Sequence, residues 1–167
     1  MGFYTTSPEE AAKTAYDVLD GMKAYGGLRD VFCVACGGSL GSLYPLYYLL
    51  RSEAKQIHAQ CMTAGEFAYD MPNRVGKTSV VVLLSASGAT PETCAAAKAA
   101  QEKGAVTICI SGRPDTQLHS FGTYCWVSSM DTTDSKQVNS LDMSLVLRFG
   151  FELLNLQESY EYYSEAL

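Results

Sequence analysis

Apolar positions along the chain follow two rhythms. Short, nearly unbroken runs stand at Val31–Ala35 (VFCVA), Ser79–Leu84 (SVVVLL) and Ala105–Ile110 (AVTICI). Their length and β-branched content predict strands buried on both faces. Tyr124–Ser128 and Gln56–Gln60 complete a set of five. Between the runs the apolar residues recur every three or four positions, as in a helix packed on one face. The first such segment follows Ser7-Pro8-Glu9-Glu10. There Ser7 can cap, Pro8 suits the first helical position and Glu10 completes a capping box. Ala12, Ala15, Tyr16, Leu19 and Met22 then mark the expected inner face, and Gly26-Gly27 ends the helix. Further helices are predicted from about Leu40 to Ala54, from Pro91 to Lys103-Gly104 and from about Val138 to Leu156. Thr63–Phe67 is a helical turn. Tyr69–Lys77, with Pro72, Asn73 and Gly76, is a loop, and 129–136 is a polar loop.

Strands alternating with helices predict an α/β domain: a five-stranded parallel sheet with helices on both faces, a flavodoxin-like three-layer αβα sandwich. The 167 residues suit a single domain. Within it, 1–29 is an N-terminal helical segment, 30–157 the core and 158–167 an acidic tail or linker. Four acidic and no basic residues follow Arg148, so the tail is expected to be solvated. Its tyrosines (Tyr160, Tyr162, Tyr163), like Tyr44, Tyr47 and Tyr48, point to packing on a neighbour.

Charge narrows the class of ligand. With 18 acidic and 12 basic residues the net charge is −6. A nucleic-acid binder needs a basic stripe to displace counterions, so no nucleic-acid partner is expected. Neutral donors can still hold one small phosphate. The segment MGFYTTSPEE lacks the basic and apolar regions of a signal peptide, and no apolar run approaches the roughly 20 residues that span a bilayer. A cytoplasmic protein without a membrane partner is expected. Of six cysteines, four sit in apolar runs as small hydrophobes. Cys33 and Cys36 form a CxxC, but the strand would turn them to opposite faces and no second CxxC follows, so no metal site is expected.

Ligands of doubly wound sheets bind beyond the carboxyl ends of the strands, where the strand order reverses. For the order 2-1-3-4-5 that crevice lies between the first and third strands. The loops leaving them, Cys36-Gly37-Gly38-Ser39 and Ser85-Ala86-Ser87-Gly88-Ala89-Thr90, are dense in Ser and Gly, and each opens into a helix. Helix N-termini offer unpaired N–H groups and partial positive charge. Ser39, Ser85, Ser87 and Thr90 add hydroxyls, although such residues also cap helices without any ligand. Neither loop is GxGxxG or GxxxxGK[ST], so NAD and ATP are unsupported and no cofactor is expected. Gly37-Gly38-Ser39-Leu40-Gly41 matches the G-x-S-x-G nucleophile elbow. That elbow should follow several strands, and here it follows the first. His119, four residues after Asp115, leaves the acid little room for a strand of its own.

These motifs resemble the sugar isomerase (SIS) domain family. Ser85-Ala86-Ser87-Gly88-Ala89-Thr90-Pro91-Glu92 is similar to the family signature SxSGxTxE. Ala35-Cys36-Gly37-Gly38-Ser39 is similar to its first phosphate loop, and Ala64-Gly65-Glu66-Phe67 to its A-x-E-F segment. The resemblance runs over about 30–157. It is strongest to the N-terminal half of fructoselysine- and glucoselysine-6-phosphate deglycases and of the isomerase part of glutamine–fructose-6-phosphate aminotransferase. It implies a phosphate held by Ser39, Ser85, Ser87 and Thr90 with N–H groups near Gly38, Ala86 and Gly88. Ser135, Lys136 and Glu66 are implied sugar contacts. Glu53, at a helix end, stands where the catalytic copy of the family carries its base. The family's catalytic E-x-x-H-G-P segment is replaced by Glu66-Phe67-Ala68-Tyr69-Asp70-Met71-Pro72, with Tyr69 at the histidine position. The chain therefore resembles the phosphate-binding copy, half of a two-SIS-domain isomerase or deglycase. A second SIS domain or an identical subunit is the implied partner and a homo-oligomer the implied assembly. A non-catalytic sugar-phosphate sensor is the alternative.

Overall fold

The computed structural model describes residues 4–128 and 135–156, without the side chains of 135–140. Five strands form one parallel sheet: β1 (Asp30–Ala35), β2 (His58–Thr63), β3 (Ser79–Leu84), β4 (Val106–Ser111) and β5 (Tyr124–Val127), in the order β2-β1-β3-β4-β5. Every adjacent pair is parallel, with Cys33 opposite Cys61 on one side and Val82 on the other. The chain winds from β1 outward to β2, then returns past β1 to β3. The reversal opens a crevice at the carboxyl ends of β1 and β3.

Helices α1 (Pro8–Met22), α2 (Gly38–Glu53) and α5 (Ser135–Leu153) cover one face; α3 (Ala64–Tyr69) and α4 (Pro91–Glu102) cover the other. Strand alternation sorts the core. Val31, Cys33, Ala35, Val80, Val82 and Leu84 meet α1, α2 and α5. Phe32, Val34, Val81 and Leu83 meet α3 and α4. Both faces of β1 and β3 are fully buried, which is why these strands carry no polar alternation.

Ser7 caps α1 in the expected capping box. Its hydroxyl accepts from the Glu10 N–H at 3.2 Å, and the Glu10 carboxylate accepts from the Ser7 N–H at 2.7 Å. The inner face of α1 differs from the expected one. Ala11, Thr14, Ala15, Val18 and Met22 are buried, while Tyr16 points outward. Trp126 decides the rotation: its indole Nε1 donates to the Thr14 hydroxyl at 3.3 Å and its ring meets Phe149 edge-on. β2 begins two residues later than the pattern indicated and runs on to Thr63. There the Thr63 hydroxyl and the Glu66 carboxylate form a second capping box, starting α3. α5 begins at Ser135, so Ser135 and Lys136 belong to a first helical turn rather than a loop. Their side chains, the polar stretch 129–134 and the tail tyrosines lie outside the described residues. Among the described residues, no helix is long and apolar enough to cross a membrane.

Candidate functional site

The turn leaving β1 has only two residues, Cys36 and Gly37, before α2 begins. Gly37 takes φ 55° and ψ −131°, a backbone conformation that only glycine adopts readily. Gly37 is also the cap position of α2 and brings no side chain to it. The N–H groups of Gly38 and Ser39 therefore begin α2 without a side-chain cap, while that of Leu40 donates to the Gly37 carbonyl at 3.1 Å. Ser39 lies in that first turn and is half-buried.

The second loop is organised around Ser85, which directly follows β3 and is 2% exposed. Its hydroxyl lies 2.8 Å from the Thr90 hydroxyl and 3.4 Å from that of Ser87, and it accepts from the Gly88 N–H at 3.2 Å. Thr90 occupies the cap position of α4, yet its side chain makes no capping bond. The hydroxyl turns inward to Ser85 instead. Helix capping therefore does not explain why a threonine stands at position 90. Ser87 is exposed and accepts from the Ala89 N–H at 3.2 Å. Gly88 contributes conformation: its φ is +68° and its N–H is spent on the carbonyl and hydroxyl of Ser85. The amide that the loop turns outward belongs to Ser87. Its peptide partner, the Ala86 carbonyl, accepts from the Gly112 N–H at 3.1 Å. In a trans peptide the N–H then points the opposite way.

A contact that the sequence motifs did not disclose ties the two loops together. The buried Thr93 hydroxyl, in the first turn of α4, donates to the Cys36 sulfur at 3.8 Å. Cys36 packs toward the α3/α4 layer while Cys33 faces the opposite one. Burial pushes the Cys33 thiol far above its ordinary range. The CxxC thus splits across the sheet, and Cys33 is no thiolate at neutral pH.

Two other sequence candidates belong to neither loop. Glu53 is the exposed last residue of α2. A 16-residue helix carries it about 22 Å from Gly38, at 1.5 Å per residue, toward the opposite edge of the sheet. Glu66 stands at the start of α3, at the carboxyl end of β2. Its carboxylate accepts from the Thr63 N–H at 3.0 Å and the Thr63 hydroxyl at 2.9 Å, and these bonds hold its pKa below the usual carboxylate range. Glu66 is an ionised group fixing a turn. Tyr69 is the last residue of α3 and is 92% exposed.

His119 is half-buried in the short helical turn Leu118–Phe121. Its Nε2 lies 3.1 Å from both the Ser111 hydroxyl and the Trp126 carbonyl. With Nε2 so committed, the G-x-S-x-G match at Ser39 lacks its histidine. His58, at the start of β2, sits 3.5 Å from Asp30, which also receives Arg74 Nε at 2.5 Å. This buried carboxylate anchors the 70–77 loop at the sheet edge opposite the crevice.

Comparison with known proteins identifies the family and the fold. The SIS domain model matches residues 29–146. Fructosamine deglycase FrlB of Bacillus subtilis is 34% identical over 140 residues, 84% of this chain and 42% of FrlB. A candidate phosphosugar isomerase of Salmonella typhimurium LT2 superposes with a TM-score of 0.75 at 34% identity, over 99% of this chain and 49% of its own. The C-terminal domain of glucosamine-fructose-6-phosphate aminotransferase from Francisella tularensis shares the fold, at TM-score 0.71 and 19% identity, over 95% of this chain and 49% of its own. So does the sugar isomerase domain of an RpiR transcription factor from Sphaerobacter thermophilus, at TM-score 0.67 and 15% identity, covering 98% of this chain and 89% of that one. The chain spans less than half the length of FrlB. With its switch-point loops, its sheet order and a match over most of its length, this chain belongs to the SIS domain family.

Proposed function

We propose that the chain is the phosphosugar-binding domain of a sugar-phosphate isomerase or deglycase acting on a ketose 6-phosphate or its amine adduct. The observation that carries this reading is the hydroxyl cluster of Ser85, Ser87 and Thr90 at the start of α4, facing the uncapped N-terminus of α2. A phosphate between these helices meets two positive dipole ends, outward amides and neutral hydroxyls. The reaction is proton transfer between C1 and C2 of an open-chain sugar, or loss of an amine from C1. Either needs a general base about 3 Å from the proton it takes. Glu53, a helix length from the loops, does not meet that need within one chain. The base therefore comes from a second SIS domain or an identical subunit, and the loops fix the far end of the sugar against it. Titration of fructose 6-phosphate tests the reading: binding by wild type that weakens in Ser87→Ala supports it, and equal affinity in both overturns it.

A second reading is a non-catalytic sugar-phosphate sensor. Tyr69 favours it, because an exposed phenol stands where the resembled catalytic segment carries a histidine. Turnover of a phosphorylated sugar by this chain alone overturns the sensor.

A further inference from the structure

We infer that His119, which belongs to neither loop, is a positioning residue for the ligand's phosphate, acting through the segment Ser111–Leu118. This rests on the phosphosugar reading and extends it to residues that no family motif includes.

Two carbonyls of the Ser/Gly loop are held from behind. The Ala86 carbonyl accepts from the Gly112 N–H at 3.1 Å, and the Gly88 carbonyl from the Leu118 N–H at 2.9 Å. Peptide planarity makes each bond set the direction of the next amide, so these two bonds aim the N–H groups of Ser87 and Ala89. Thr116 closes the same contact sterically. A Cβ placed on Gly88 would stand 2.3 Å from the Thr116 Cβ. The 112–118 segment is thus the mould against which the loop is shaped.

The mould has its own fastening. The buried Ser111 hydroxyl donates to the Arg113 carbonyl at 2.7 Å, which uses its only proton. It then accepts from the Thr116 hydroxyl and from His119 Nε2, each at 3.1 Å. The Trp126 carbonyl, 3.1 Å from the same Nε2, can only accept. Both partners therefore require the proton on Nε2. One shared N–H links β5, β4 and the segment that shapes the loop. The chain of contact runs from Trp126 through His119, Ser111 and Thr116 to Gly88. Side chains that support a site are commonly what keeps its donors in productive geometry.

The test compares His119→Leu, which removes the N–H, with His119→Gln, whose side-chain amide can restore a donor near the Nε2 position. Thr116→Ala serves as a second variant should His119→Leu melt far below wild type. Fructose 6-phosphate and inorganic phosphate are titrated into each. Amide hydrogen exchange is followed in a peptide covering 84–90 without ligand. We expect about tenfold weaker binding in His119→Leu, faster exchange in 84–90, and recovery of both in His119→Gln. If wild type binds and His119→Leu binds equally well, the positioning role is overturned. If wild type binds no sugar phosphate, the phosphosugar reading falls, and the exchange arm alone decides whether His119 holds the loop. Unchanged exchange in 84–90 then overturns the inference as well.

Discussion

The hydroxyl oxygens of Ser85 and Thr90 stand 2.8 Å apart, although one residue directly follows a strand and the other occupies a helix cap. Ser85 is buried and Ser87 exposed, so the cluster has a hub and an outward face. Ser87→Ala removes an outward donor to an anion and should weaken fructose 6-phosphate binding by on the order of 1.5–3 kcal/mol. Ser85→Ala should weaken it comparably, because Thr90 and the Gly88 N–H lose their common partner. Isothermal titration of both variants checks this. An unchanged affinity in Ser85→Ala would remove the hub.

Gly88 is constrained twice, by φ +68° and by the Thr116 Cβ. Gly88→Ala should cost about 2–5 kcal/mol, combining left-handed backbone strain with overpacking. Thr116→Gly in the same chain should recover the overpacking share and leave the backbone share. Urea unfolding of wild type and the two variants gives the numbers, and a loss below about 1 kcal/mol for Gly88→Ala would contradict the account.

Asp142 on α5 is 4% exposed, and its Oδ1 has no hydrogen-bond partner among the described residues. Burial raises its pKa from 3.8 to about 6, while a hydrogen bond from Ser128 pulls it down. Between those values the folded state binds more proton than the unfolded, so stability falls as pH rises. The penalty is absent below the unfolded carboxylate's range, builds toward pH 6 and is complete above it. Asp142→Asn should therefore be more stable than wild type at pH 7, by about 3 kcal/mol at most, and the two should converge near pH 4. Urea midpoints across pH 4–8 test the sign, and wild type gaining stability toward high pH relative to Asp142→Asn would refute it.

Glu53→Gln should leave sugar-phosphate affinity of this chain unchanged, because the residue ends the helix whose other end meets the crevice. Assays of the chain alone and joined to a second SIS domain should give little turnover in the first and activity in the second. Full activity of the chain alone, abolished in Glu53→Gln, would make it a self-sufficient homo-oligomeric enzyme.

Tyr44 and Tyr48 are 49% and 59% exposed on α2, with Tyr44 stacked at a tilt on Tyr47. Large aromatic faces of this kind favour a protein neighbour. We expect a dimer or larger assembly by light scattering, shifted toward monomer in Tyr44→Ser/Tyr48→Ser. Monomer alone at tens of micromolar would contradict the expectation.

The sequence by itself determined what depends on near neighbours in the chain. Ser7 and Glu10 close their box three residues apart. β3 spans Ser79–Leu84 because a β-branched run has one good use in a fully covered sheet. Alternating strands and helices, with right-handed crossovers, left few sheet orders open, and the two Ser/Gly loops already marked the crevice. Only the tertiary structure decided the rest. The rotation of α1 turned on Trp126 reaching Thr14 from the far end of the chain, which buried Val18 and exposed Tyr16. Thr93 met Cys36, Thr116 met Gly88 and His119 met Trp126 through contacts between segments that no local spacing relates. A hydroxyl's local environment permits either a cap or a partner across a turn. Which one forms at Thr90 depends on where β3 places Ser85, and that position exists only once the sheet has assembled.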